Sequence, residues 1–244
     1  MFLTGICLFG FGYLLNMFYI TVLYHRGITH QAVILRPGVI KLLQATGIWV
    51  TGLDPKAWAV MHRLHHLHSD QVGDPHSPAQ LGVWGVWGGQ YRAYKHIIQK
   101  LIDKSDLEVN FVSKDIPLEL SFLSFRGMSN YPYYLHALLG LLLWFFSGSF
   151  FLGLAYVLGI ISHPVQGWMV NSLAHTYGKR NFETPDSSKN NFWVALLVFG
   201  EGLQNNHHAH PQRAKFSFKP TEIDLGHFLC IIAEKLGMLK IRPF

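Results

Sequence analysis

The chain has little charge and almost no cysteine. Of its 244 residues only 14% are Asp, Glu, Lys or Arg, while 50% are hydrophobic; soluble domains average about 25% charged. The deficit is uneven, because residues 1–24 and 127–178 contain no charged side chain at all. Both stretches exceed the roughly 20 residues that cross a bilayer. The two cysteines, Cys7 and Cys230, form no C-x-x-C. That excludes a disulfide framework and a cysteine-held iron–sulfur cluster. G-x-G-x-x-G is absent, so no dinucleotide cradle is encoded, and H-E-x-x-H is absent, which argues against a membrane zinc protease. Neither internal repeats nor low-complexity segments occur.

Residues 2–24 read as one membrane span, and 131–146 and 150–170 as two more, hinged at Ser147-Gly148-Ser149. Residues 1–24 lack a basic leader and run straight into His25, so they read as a span rather than a signal peptide. All 20 Lys and Arg lie in 25–126 and 179–244. The positive-inside rule places both segments in the cytoplasm and the N-terminus outside. The net charge of +6 is then a topology signal, and nucleic acid is not an expected partner. Val39–Val50 reads as an interfacial or re-entrant helix, and Asp54-Pro55 as the start of a helix carrying Trp58 to His66. Gly82–Gly89, rich in glycine and tryptophan, reads as a folded loop, 90–126 as partly helical, and the tail 226–244 as an interfacial helix. His163-Pro164 reads as a proline kink rather than a haem site.

The polar side chain in abundance is histidine. His62, His65 and His66 stand at i, i+3 and i+4, so a helix puts them on one face. Gln204, His207 and His208 repeat that spacing, and Asn171 and His175 are one turn apart. His25 and His30 are five residues apart, roughly 140° around an α-helix. They converge only if the helix ends, bends or faces a broad site, which Gly27 between them would permit. Eight imidazoles exceed the four ligands of one zinc site and match two metal ions.

H-R-G-I-T-H, then H-R-L-H-H, D-P-H, N-S-L-A-H and G-E-G-x-x-N-x-H-H-A-x-P together resemble the membrane fatty acid desaturases. The likeness is to the acyl-CoA delta-9 (stearoyl-CoA) branch and its bacterial relatives, and it runs from about Tyr13 to Pro211. It implies an all-α, multi-pass membrane protein, one domain over 1–244, with a cytoplasmic helical cap holding two irons. Carried over, His25, His30, His62, His65, His66, His175, His207 and His208 match ligand positions, and Asn171 matches an asparagine that reaches one metal through water. The ligands cannot be divided between the two irons from the sequence. Two departures stand out. The third box, H-x-x-H-H in the family, starts here with Gln204, which can coordinate weakly or hold a water. Only one span precedes His25, so the chain reads as shortened at its start or as a shorter variant.

Removing two hydrogens from unactivated methylenes needs an oxidising metal centre. The reaction that the resemblance implies is an O2-dependent, diiron desaturation of a long acyl chain, at position nine. Asp74 and Glu201 are candidates to orient the ligating rings, and Asp70 a weaker one. Electrons would come from an external ferredoxin, rubredoxin or cytochrome b5-type donor. The expected location is the bacterial cytoplasmic membrane, with the site facing the cytoplasm. Trp49, Trp58, Trp84, Trp87 and Trp168 are possible tunnel-lining residues, though packing or interface anchoring explains each as well. His68, His76, His96, His136, His163, His210 and His227 fall outside the matched positions, with His76 expected to be structural near the site. A diiron hydroxylase on the same scaffold and a catalytically impaired metal-binding membrane protein are the alternatives, separable by product mass and by metal content without turnover.

Overall fold

A computed structural model describes residues 1–243. Helix α1, Phe2–Met17, runs directly into a π-helical segment, Phe18–Thr29, and together they form one 28-residue apolar helix. Strand β1, Val33–Leu35, precedes α2, Pro37–Thr51, α3, Pro55–His68, and α4, Pro78–Asp103. Two short helices, α5, Leu107–Ser113, and α6, Phe122–Phe125, lead to the apolar α7, Tyr131–Ser147, and α8, Phe150–Ile160. Then come α9, His163–Trp168, a second π-helical stretch, Met169–Leu173, and α10, Ala174–Thr176. The chain closes with α11, Phe192–Leu197, α12, Gln204–Ala209, α13, Leu225–Lys235, and strand β2, Leu239–Ile241. β1 and β2 pair antiparallel, Val33 opposite Ile241 and Leu35 opposite Leu239, and among the described residues the other strand-like pairings are isolated bridges at Lys179–Asn190 and Asn190–Leu203.

Glycines set how the apolar helices meet. A Cβ on Gly12 of α1 would lie 2.9 Å from the Ile160 amide, and one on Gly159 of α8 would lie 2.5 Å from the Phe9 carbonyl. Between α7 and α8, a Cβ on Gly153 would reach the Gly140 carbonyl at 2.3 Å. Backbones this close need residues without side chains, as in membrane helix packing. Gly153→Ala should cost about 1–3 kcal/mol of stability through overpacking. Gly10, whose Cβ would meet nothing within 4 Å, should accept alanine without loss. Thermal midpoints in detergent check both.

The α7–α8 hairpin turns at Gly148, whose φ of +64° suits glycine, as the Ser147-Gly148-Ser149 reading expected. The third expected span, 150–170, is not one straight helix. It breaks after Ile160 and bends by 46° into His163–Thr176. The cause is Pro164, which has no amide to meet the Ile160 carbonyl. The buried Asn16 side chain donates to that carbonyl instead, at 3.1 Å. By length and composition one helix, Phe2–Thr29, can cross a membrane, or two if the bent pair counts as a span.

Three local expectations change. Gly82–Gly89 is helix, not loop: Ser77 caps α4 by accepting from the Ala79 amide at 3.1 Å, and the helix kinks only at Gly82 (φ +68°). Packing overrides the poor helix propensity of glycine here: Trp84 stacks on Trp168 at 5.0 Å, and the Trp168 indole donates to the Val83 carbonyl at 2.8 Å. The tail is helix only to Lys235 and ends as β2. Gly27 does not break the first helix, since it lies inside the π-helical segment, where its missing Cβ admits Leu35 at 3.0 Å. The expected start of α3 at Asp54-Pro55 is present, with Asp54 accepting from the Lys56 and Ala57 amides. The largest core forms where the π-helical segment, α2, α3, α4 and α13 meet, around Tyr24, Leu43, Val60, Ile98 and Cys230.

Candidate metal centre

The π-helical winding of Phe18–Thr29 resolves the awkward spacing of His25 and His30. In a π-helix, residues five apart are hydrogen-bonded neighbours. The His30 amide donates to the His25 carbonyl at 3.1 Å, and the two rings lie 4.9 Å apart. α3 delivers His62, His65 and His66 from its last turns, and α12 delivers His207 and His208. The turn before α12 is built for closeness. A Cβ on Gly200 (φ +96°) would lie 2.5 Å from Asp224, and one on Gly202 would lie 2.2 Å from the Ala195 amide. The G-E-G sequence thus lets backbone press against backbone and fixes Glu201 between them.

With His175 from α10, these elements bring all eight histidines together in two groups. His25, His30, His62, His66 and His207 offer ring nitrogens within 4.8 Å of one another, and His65, His175 and His208 form a second set. In the first group the Nε2 atoms form a ring of contacts: His25 to His62 at 2.8 Å, His62 to His66 at 3.1 Å, His66 to His207 at 2.9 Å and His207 to His25 at 3.0 Å. A neutral imidazole carries one N–H, so at most two of these four contacts are hydrogen bonds. Two nitrogens at right angles on a shared cation, at metal–nitrogen distances of about 2.0–2.1 Å, lie about 2.9 Å apart. In the second group, His65, His175 and His208 each leave Nε2 buried without a partner. Buried polar atoms without partners are rare, so both groups fit metal ions.

Carboxylates stand behind four of the rings. Glu201 takes the His25 Nδ1 proton at 2.6 Å, Asp74 faces His65 Nδ1 at 3.0 Å, Asp186 faces His208 Nδ1 at 2.7 Å, and Asp70 faces His175 Nδ1 at 3.4 Å. Each pairing puts the proton on Nδ1 and leaves Nε2 free as a donor to a metal. Asp70 also accepts from the Ser187 amide and hydroxyl, both at 2.7 Å. Burial pushes the Glu201 carboxyl up, but His25, Arg26 and Thr21 outweigh it and hold it at about 2. Burial likewise opposes Asp74, and the facing His65 and His76 bring it down to about 2. Burial and the crowding of rings keep His62, His66 and His207 well below the usual histidine range, and burial takes His208 down to about 3 despite Asp186. These four rings are thereby held toward the neutral form, the one that binds metal.

Sequence reading had weighed Glu201, Asp74 and Asp70 for this role but missed Asp186. Asp186 looks like turn punctuation in T-P-D-S-S, and its own Ser188 contact supports that look. Arg26 was missed as well. It is fully buried, 2.5 Å from Glu201 and 3.0 Å from Asp224, with its guanidinium 3.8 Å over the Phe216 ring.

A cavity of about 90 Å³ adjoins the larger group, lined by His25, His62 and His76 together with Trp58, Tyr94 and Tyr133. Asn171 and Gln204 also line it. Asn171 donates to Gln90 at 3.4 Å, and the buried Gln204 amide donates to the Glu201 carbonyl at 2.7 Å. Among the described residues neither side chain hydrogen-bonds to a histidine side chain. Of the five tryptophans considered for the lining only Trp58 is there, stacked 5.2 Å from His62; Trp49, Trp84 and Trp87 are exposed, and Trp168 packs on Trp84.

The fatty acid desaturase family profile matches residues 2–219. The chain belongs to that family. It is similar to a probable chloroplastic lipid desaturase of Arabidopsis thaliana, 30% identical over 97% of this chain and 60% of the relative. It is also similar to the sn-1 stearoyl-lipid 9-desaturase of Anabaena variabilis, 32% identical over 90% of this chain and 76% of the relative. An acyl-CoA 5-desaturase of Anemone leveillei is 31% identical over 91% of this chain and 66% of the relative. The chain thus spans from 60% to 76% of the length of these desaturases. The family is one of oxidoreductases acting on fatty acyl chains, and in this chain His25 and His62 of the larger histidine group line the apolar cavity.

Proposed function

We propose that this chain is an O2-dependent acyl desaturase that places a cis double bond in a long fatty acyl chain, at position nine, with one iron in each histidine group. The observation that carries this is the convergence of eight imidazoles in two groups, one with Nε2 atoms crowded at 2.8–3.1 Å and lining an apolar cavity through His25 and His62, the other with three Nε2 atoms buried without a partner. Imidazole suits iron among several metals, and iron is the metal that the resemblance to the membrane desaturases implies. Iron bound there would supply, with O2 and two external electrons, the power to remove two hydrogens from adjacent methylenes and release water. His25, His30, His62, His66 and His207 would hold one ion, and His65, His175 and His208 the other. Glu201, Asp74, Asp186 and Asp70 keep the rings in the tautomer and orientation that point Nε2 inward. Trp58, Tyr94 and Tyr133 bind the acyl chain and exclude water. Asn171 and Gln204 border the reacting space, where Asn171 would hold a water.

We place the chain in a bacterial cytoplasmic membrane, with the histidines at its cytoplasmic side, because all Lys and Arg lie in the histidine-bearing segments. The same basic surface suits an acidic reductant of ferredoxin, rubredoxin or cytochrome b5 type. The relatives are named for acyl-CoA and acyl-lipid substrates and for positions 5 and 9, so head group and bond position belong to the test. That test is gas chromatography–mass spectrometry of total fatty acids from a desaturase-deficient host, beside a His65→Ala, His66→Ala control. A monounsaturated acid made by the wild type alone supports the proposal. A hydroxylated acid moves the reading to a hydroxylase, and iron without product to an impaired protein.

Asp186→Asn isolates one orienting contact. It should weaken iron retention against a chelator about 10–100-fold, as loss of an outer hydrogen-bond partner typically does. Equal retention in wild type and variant would show that Asp186 serves only its turn.

A further inference from the structure

The two groups are unequal. One gathers five imidazoles and the other three. The cause lies partly in α12, where Gln204, His207 and His208 repeat the i, i+3, i+4 spacing of His62, His65 and His66, with an amide in the first slot. One further histidine stands beside the smaller group. His76 is 1% exposed, and both of its ring nitrogens are buried without a partner. The three rings of the smaller group have centroids 4.9–5.1 Å apart, and His76 lies closer still to one of them, 4.5 Å from His65. His65, Asp74 and His76 also present donor atoms within 4.8 Å of one another.

The loop that carries His76 is tied to this site. Asp74, which orients His65, also accepts from the His76 amide at 3.0 Å and the Asp70 amide at 2.7 Å. Asp70, which orients His175, accepts from the Ser77 hydroxyl at 2.8 Å. The carboxylates that set two rings of the smaller group thus also hold the His76 amide and the neighbouring Ser77 hydroxyl. A histidine held there for packing alone would not leave two nitrogens unsatisfied. Its ring shares the cavity wall with Gln204.

We propose that His76 is a fourth protein ligand of the smaller metal site, supplying the imidazole that position 204 lacks. The inference rests on the two-iron reading above and adds one ligand to it. The test is iron content per chain after anaerobic loading with ferrous iron and dialysis in detergent. The wild type should hold two irons and His76→Ala one, and the double variant His76→Ala, Gln204→His should return to two. His163→Ala, which removes another buried histidine of the same cavity, should keep two. Two irons in His76→Ala overturn the proposal while leaving the two-iron reading intact. No iron in the wild type overturns both. Should His76→Ala precipitate or lose both ions, the double variant decides, two irons supporting the proposal and fewer overturning it.

Discussion

Arg26→Met is expected to destabilise the protein by about 3–5 kcal/mol, the usual result of removing one partner from a buried ion pair. The guanidinium is fully buried and its fork is fully used. Nε donates to the Ala214 carbonyl at 2.9 Å, one terminal nitrogen meets Glu201 at 2.5 Å, and the other meets Asp224 at 3.0 Å. Space for it comes from Gly226, where a Cβ would sit 2.8 Å from the nitrogen that meets Glu201. Methionine fills similar volume and leaves two buried carboxylates without their cation. Arg26→Lys should recover only part of the loss, because a point charge cannot reach three acceptors in a plane. Glu201 also orients His25, so the same variant should weaken iron retention. Denaturation midpoints and iron content, read together, check this. An unchanged midpoint in Arg26→Met would mean that Glu201 and Asp224 are satisfied by water or by protonation.

The i, i+3, i+4 spacing made α3 and its shared histidine face legible in the sequence, and Asp54-Pro55 marked its start. The division of that face between two groups was not legible. His62 and His66 go to the larger group and His65 to the smaller. On a helix, positions i and i+4 are 40° apart, whereas i+3 lies about 60° to the other side, so a site seated over this face splits it. The adjacent His207 and His208 divide likewise, being about 100° apart. His25 and His30 defied an α-helical reading because the local winding is π. That choice is fixed by tertiary contacts, including the buried Arg26 network, rather than by propensity. Asp186 and Asp224 were unreadable for a related reason. Their partners, His208 and Arg26, lie elsewhere in the chain, and each aspartate reads locally as something ordinary, Asp186 as turn chemistry and Asp224 as the cap of α13. The Gly82–Gly89 helix went the same way, since its stability comes from Trp84 stacking on Trp168 across the fold.

Two histidines in the last turn of α3 give the sharpest contrast in the chain. His66→Ala should abolish product formation, and His68→Ala should leave it within about twofold. His66 Nε2 sits 3.1 Å from His62 and 2.9 Å from His207, inside a ring of four nitrogens that hydrogen bonds alone cannot satisfy. Losing an outer partner of a metal ligand typically costs about 10–100-fold, so losing the ligand itself should cost more and take product below detection. His68, two residues on, points away and pairs with the half-exposed Glu108 at 2.9 Å. An exposed pair of this kind contributes about 0–1 kcal/mol and is screened by salt. Both variants keep the helix, its Asp54 cap and the cavity wall, so folding does not separate them. Fatty acid profiles from matched expression levels are the readout. Full activity in His66→Ala would remove the larger group from the chemistry, and loss of activity in His68→Ala would mean that the boundary of the site lies one turn further along α3 than the geometry places it.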